Sequence, residues 1–433
     1  RLLLSASVVG SPTSQVTATN VTLRTSPGYG GGIGSVATPL RVDVERSFDF
    51  RPNGEFNVQL VGSGAPNNVD LTIGVAPTGA NYVGTLTRAG AIALDVSAND
   101  ATVTVNNFNV TSGFNTPIYG QTPDISVYVP NGNLTVTSMA VPMGDQVGFA
   151  SCIFYYCGVS ILGMPVSVGA SGSLAVVSFT RQSGGTYGKT TSFFSNDSAV
   201  TLGAISGSRD SINASADTGI ALTGNLTTLG SASLTNYSTG DIVIGGTGIN
   251  TAGGGTVSVT NSGSGAIRAA ADNAGLEVTA GGAANLYAAN IDTAGFVNPF
   301  DVSANSVSLT GVGASSTIGH TGAPVIANTT NLTINAGGKF NVDTGAVDLI
   351  NLGVTASPTG VGTGGLAQVA SNGTTYGFAS DGSNFTLANW TAPAAQFAGG
   401  TLSFTTTAGN VTLNNIDFSA SNGSLSVKIV DDV

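Results

Sequence analysis

The residues whose types could do chemistry are few in this 433-residue chain: one histidine, two cysteines, and acids that outnumber bases 23 to 12. His320 stands in Ile318-Gly-His-Thr-Gly-Ala-Pro324, a turn-forming stretch. A catalytic triad needs a nucleophile and an orienting acid around its base, and no such set accompanies His320, which therefore reads as a turn residue. Cys152 and Cys157 lie five apart in Ser-Cys-Ile-Phe-Tyr-Tyr-Cys-Gly. Two cysteines and one histidine cannot supply a four-ligand zinc set. They read either as a local disulfide clamping a short loop, which suits an exported protein, or as two buried thiols. Polysaccharide lyases and glycosidases need paired carboxylates, or an acid-bound calcium with a catalytic Arg or Lys. The acids here are mostly single, as at Asp210, Asp241 and Asp417, and Asp343 and Asp348 are the two that could approach each other. Solvated turn carboxylates are the expectation for all of them. No Gly-Gly-x-Gly-x-Asp calcium array and no Gly-Lys-Ser/Thr phosphate loop is present, so the reading assigns no catalytic residue, no metal site and no cofactor.

The charge balance narrows the partners. A net charge of -11, with Lys189, Lys339 and Lys428 as the only lysines, excludes a nucleic-acid binder, because phosphate neutralisation needs clustered Lys or Arg. No apolar run reaches the roughly 18 to 20 residues of a membrane-spanning helix. The chain opens on Arg1 and reads as a mature piece, or an excerpt, of a longer product.

What must position any site is a set of short strands. Charged residues make up 8% of the chain, against about a quarter in average proteins, while hydrophobic residues reach 41% and glycine counts 62. The recurrent element is Gly-x-apolar-x-apolar, as at Gly132 with Leu134 and Val136, Gly255 with Val257 and Val259, and Gly423 with Leu425 and Val427. That period of two buries one face of a strand, and helical periodicity is nowhere sustained. A longer repeat also shows. Ile33-Gly34, Pro39, Phe48-x-Phe50 and Gly54-Glu-Phe-Asn-Val58 return, with one residue of slippage, as Ile318-Gly319, Pro324, Leu332-x-Ile334 and Gly338-Lys-Phe-Asn-Val342. A partial third copy is Leu276-x-Val278, Gly282 and Asn285-Leu286.

Such a repeat suits an all-β, right-handed parallel β-helix, a solenoid in which each strand pairs with its equivalent one coil later, about 4.8 Å away. With roughly 20 residues per coil, the expectation is about 20 coils and a rod on the order of 100 Å long. Asn57, Asn285 and Asn341 would then stack as an amide ladder at one corner. Residues 1–200 read as a decorated segment with loop or hairpin insertions such as 147–159, and residues 201–433 as a more regular shaft, the two forming one continuous solenoid.

These Gly-rich strands and the Ile33-to-Asp43 stretch with its echo at Ile318-to-Pro324 resemble the repeats of filamentous haemagglutinin-type large exoproteins, the adhesins of two-partner secretion. The secretion-signal motif Asn-Pro-Asn-Gly of that family is represented only by Arg51-Pro52-Asn53-Gly54, so that domain is not assigned. The resemblance implies the shaft of a secreted or cell-surface bacterial adhesin or filament, an outer-membrane transporter as partner during export, and surface or matrix glycans or proteins of host or neighbouring cells as contacts in attachment or biofilm. Two other readings stand beside it: a self-associating extracellular fibre subunit, and a carbohydrate-active β-helix or tailspike-like polysaccharide binder.

Overall fold

The computed structural model describes residues 190–430 except 252, 272–276 and 292–298. Before residue 190 it describes mainly the strands, with side-chain burial for parts of 15–42 and for 133–139 and 166–181. The chain divides into two compact units, Arg1–Asp217 and Thr218–Val433. Parallel strands dominate, and the stacked coils form a β-solenoid of about 11 turns, as the period-two pattern and the repeat require. The turns are fewer than expected because even uninterrupted coils of the second unit run 20 to 27 residues, and insertions lengthen others further. In the second unit Asn331 lies 20 residues from its partner Asn351 and Asn236 lies 25 from Asn261, but Asn351 is 50 from Thr401. In the first unit Asn133 and Ser173 are 40 apart.

Alternation does the packing. In the strand Ser306–Gly311 the residues Val307 and Leu309 point inward and are buried, while Ser308 and Thr310 point out. Register repeats that choice coil after coil. Leu234, Val259, Leu286, Leu309, Ile334, Val354 and Phe404 stack in one inward column, all buried, each side chain contributing about 1.5–3 kcal/mol of burial. The outward columns beside it are uncharged until the last rung: Ser233, Ser258, Asn285, Ser308, Thr333, Gly353 and Ser403 in one, and Thr235, Thr260, Tyr287, Thr310, Asn335, Thr355 and Thr405 in the other, which ends at Lys428. Like charges at every rung would repel, and this is where the low charge content of the sequence acquires its structural meaning.

The long repeat builds the same turn in both units. Gly34 and Gly319 hold φ of 71° and 65°, and at Gly319 a Cβ would collide with the Asn341 carbonyl oxygen, so glycine is required there. Ser35 and Thr38 exchange two backbone hydrogen bonds of 3.1 and 3.2 Å, and His320 and Ala323 exchange two of 3.0 and 3.1 Å. The residue after each repeat proline then pairs with the valine of Phe-Asn-Val, Leu40 with Val58 and Val325 with Val342.

Among the described residues, a hairpin and a three-stranded meander interrupt the coils. Gln146–Phe149 pairs antiparallel with Val159–Leu162 as a separate two-stranded sheet, where the sequence predicts an insertion. The other lies in the segment expected to be regular: Ala367–Ser371, Thr374–Ser380 and Phe385–Thr391 run antiparallel in succession. Its first turn, Asn372-Gly373, has φ of 41° and 80°, the conformation that an Asn-Gly hairpin favours. This meander adds a strand to one face of the solenoid, and aromatic side chains fill the interior beside it. Phe378 lies 5.1 Å from Trp390 and 5.2 Å from Phe404, and Tyr376 lies 5.7 Å from Trp390, measured between ring centroids.

Candidate functional site

Among the described residues, three buried polar clusters that contain a titratable group and one outward groove bring side chains together. In the first unit, the strand Leu174–Arg181 delivers Arg181 and the strand Thr190–Ser195 delivers Thr191, both turned inward. Arg181 donates from Nε (2.8 Å) and Nη2 (2.5 Å) to Asp210 Oδ2, and the Thr191 hydroxyl donates to the same oxygen at 2.6 Å. Both charged side chains are 1% exposed. Asp210 is thus not the solvated turn carboxylate that its isolation in sequence predicts. A guanidinium 29 residues upstream neutralises it, and a buried carboxylate is tolerated only with such a partner.

In the second unit, Glu277 and Asp301 sit at one corner on successive coils, and Glu277 is completely buried. Burial pushes the Glu277 carboxyl from 4.5 up to about 7, with a further upward push from Asp301, and burial raises Asp301 as well. The third cluster belongs to the aromatic insert. The Tyr376 hydroxyl donates to Gln396 Oε1 at 2.5 Å, and Gln396 Nε2 donates to the Ser371 carbonyl at 2.7 Å. Neither Glu277 nor Gln396 stands out in the sequence, since only the coil register brings their partners to them.

On the outward face of the second unit, Tyr287, Thr310, Val312, Asn335, Thr355 and Thr407 help line a shallow groove of about 350 Å³ that crosses several coils. Its lining is uncharged. Its exposed surface is mainly apolar, so the Tyr287 ring and Val312 offer stacking and apolar contact, with a few hydroxyls and the Asn335 amide at hand.

The sequence-derived candidates fall apart from one another. Asn285 faces outward in register with Ser258 and Ser308, whereas Asn341 lies on the strand Lys339–Asp343 in register with Gln368. These two do not stack, and the partial third copy is out of register with the copy at residues 318–342. Asn57 lies in the strand Phe56–Leu60 opposite Thr85, and its side chain lies outside the described residues, as do Cys152 and Cys157. Amide ladders do form elsewhere. Asn236 Nδ2 donates to Asn261 Oδ1 at 3.1 Å, Asn351 Nδ2 to Asn331 Oδ1 at 2.8 Å, and Asn415 Nδ2 to Asn389 Oδ1 at 3.0 Å. Asp343 accepts from the Gly345 N–H of its own turn, and Asp348 accepts from the Asn372 side-chain amide 24 residues on. His320 Nδ1 lies 3.0 Å from the Thr321 carbonyl oxygen, a contact within its own turn.

Among the described residues no group of three or more His, Cys, Asp or Glu could hold a metal ion, and no helix is long and apolar enough to cross a membrane. No family model, curated protein or solved structure matches the chain.

Proposed function

We propose that the chain is a shaft segment of a secreted, cell-surface bacterial adhesin of the filamentous haemagglutinin type, acting mechanically and by surface contact and not as a catalyst. The observation that supports this reading is the division of labour along the coils of the second unit. Inward columns are apolar, the polar clusters tie one coil to another, and the outward face offers uncharged Ser, Thr and Asn rungs with a groove beside Tyr287. Coil-on-coil interfaces add stability with length, which suits an element that holds a contact surface away from a cell. Export through an outer-membrane transporter and contact with host or neighbouring-cell glycans or proteins follow from the same reading. Beads coated with the purified chain, scored for attachment to cells and to biofilm matrix, test it. Attachment above that of beads carrying an unrelated protein is expected. Equal attachment overturns the reading, and release of new reducing ends from a polysaccharide would replace it with the carbohydrate-active one.

A further inference from the structure

Two buried oxygens without a hydrogen-bond partner among the described residues, on adjacent coils of the second unit, point to a device that neither residue makes alone. Glu277 precedes the strand Val278–Ala280, Asp301 opens the strand Asp301–Ser303, and Val278 pairs with Val302. The backbone N–H of Glu277 donates to the Asp301 carbonyl at 3.1 Å. In return the Asp301 N–H donates to Glu277 Oε2 at 2.5 Å. That leaves Glu277 Oε1 and Asp301 Oδ1, both buried and both without a hydrogen-bond partner among the described residues.

Among the described residues, the strands packed against this corner offer them no cation. Ile249–Thr251, Val257–Asn261, Ala283–Ala288 and Val325–Asn328 carry no Lys, Arg or His, and their one titratable side chain is Tyr287, which is exposed on the outward face. Two ionised carboxylates one coil apart repel each other, and each would keep a desolvated oxygen with no donor. One proton relieves both defects. On Glu277 Oε1 it makes a donor out of an orphaned acceptor, and Asp301 Oδ1 is the orphaned acceptor on the next coil.

We propose that Glu277 and Asp301 share a single proton across the step between coils and act as a proton-operated latch, closed in acidic surroundings and opened when the pair loses its proton. Burial, which lifts Glu277 to about 7, sets the release near neutrality. A carboxyl whose folded value lies above its unfolded one binds the proton more tightly when folded. The stability contributed by the latch is therefore complete below about 4.5 and is lost as pH rises through about 7.

Thermal unfolding of the whole chain from acid to alkaline pH, with Glu277→Gln alongside, tests the latch, because a glutamine amide copies the protonated pair permanently. The wild-type midpoint should fall by several degrees across neutrality relative to the variant, and the two should agree in acid. A variant that is less stable than wild type at every pH, or that runs parallel to it, overturns the proposal. Infrared spectra read the proton directly even if melting is irreversible. A protonated-carboxyl stretch present at pH 6 and missing in Glu277→Gln is expected, and its absence from the wild type overturns the latch. Millimolar calcium that raises the wild-type midpoint in alkali, but not that of the variant, would make the pair a cation site and overturn proton sharing.

Discussion

The Asn341 side-chain amide donates to the main-chain carbonyl of His320 at 2.7 Å, and this bond closes the turn that the long repeat encodes. Asn341 Oδ1 in turn accepts from Gln368 Nε2 on the next coil at 3.1 Å. The asparagine of Phe-Asn-Val thus spans a turn and a rung at once. Replacing it leaves a half-buried carbonyl and the Gln368 amide without their partner, at about 1–3 kcal/mol. Asn341→Ala should lower the urea midpoint accordingly, while Asn285→Ala, on the outward face, should stay within about 0.5 kcal/mol of wild type. Equal losses at the two positions would restore the idea of one ladder containing both.

The buried amide ladder should matter more than the exposed one. Asn236 and Asn261 are both buried, and each donates from Nδ2 to the Gly240 carbonyl, at 2.7 and 2.8 Å. Asn331 and Asn351 bond at the surface, where water substitutes for a lost partner. Asn261→Ala is expected to cost about 1–3 kcal/mol and Asn351→Ala less than about 0.5 kcal/mol. A double-mutant cycle on Asn236 and Asn261 measures the coupling directly.

Strand periodicity and the Ile-Gly-to-Pro turn are legible in sequence because both are local: alternation fixes which side chains face inward, and a left-handed glycine fixes the turn. What sequence does not disclose is long-range register. Asn285 looks equivalent to Asn341 by spacing from a glycine, yet coil lengths that vary from 20 to 27 residues even where no insertion interrupts them put them in different columns. The same variability hides the match of Arg181 with Asp210 and of Glu277 with Asp301. The meander at residues 367–391 carried a readable signal, Asn372-Gly373 between apolar strands, but its antiparallel direction departs from the parallel pattern around it.

Arg181 and Asp210 form a pair whose halves depend on each other. Asp210→Ala strands a buried guanidinium, and a cost of about 3–5 kcal/mol is expected. Replacing both at once, as Arg181→Met with Asp210→Ala, removes the uncompensated charge and should recover most of that loss. Chemical denaturation of the two variants is the measurement. A double variant no better than Asp210→Ala would mean that the bond to Thr191, and not charge pairing, dominates the cluster.

The aromatic insert makes the last prediction, and Trp390, the chain's only tryptophan, is its reporter. Burial, reinforced by the nearby Asp348, raises the Tyr376 phenol above its ordinary value. Its hydroxyl is the donor that Gln396 Oε1 requires. A phenol raised in the folded state binds its proton more tightly there, so its contribution is complete below about 10 and is lost as pH climbs further. In an alkaline titration followed by tyrosinate absorbance, Tyr376 should ionise only together with the red shift of Trp390 emission that marks unfolding. Tyr376→Phe removes the donor, leaves Gln396 Oε1 buried and bare, and should cost about 1–3 kcal/mol at neutral pH. It should also flatten the alkaline limb of the stability profile. If Tyr376→Phe keeps that limb unchanged, the alkaline transition belongs to other groups and the Tyr376–Gln396 bond does not govern it.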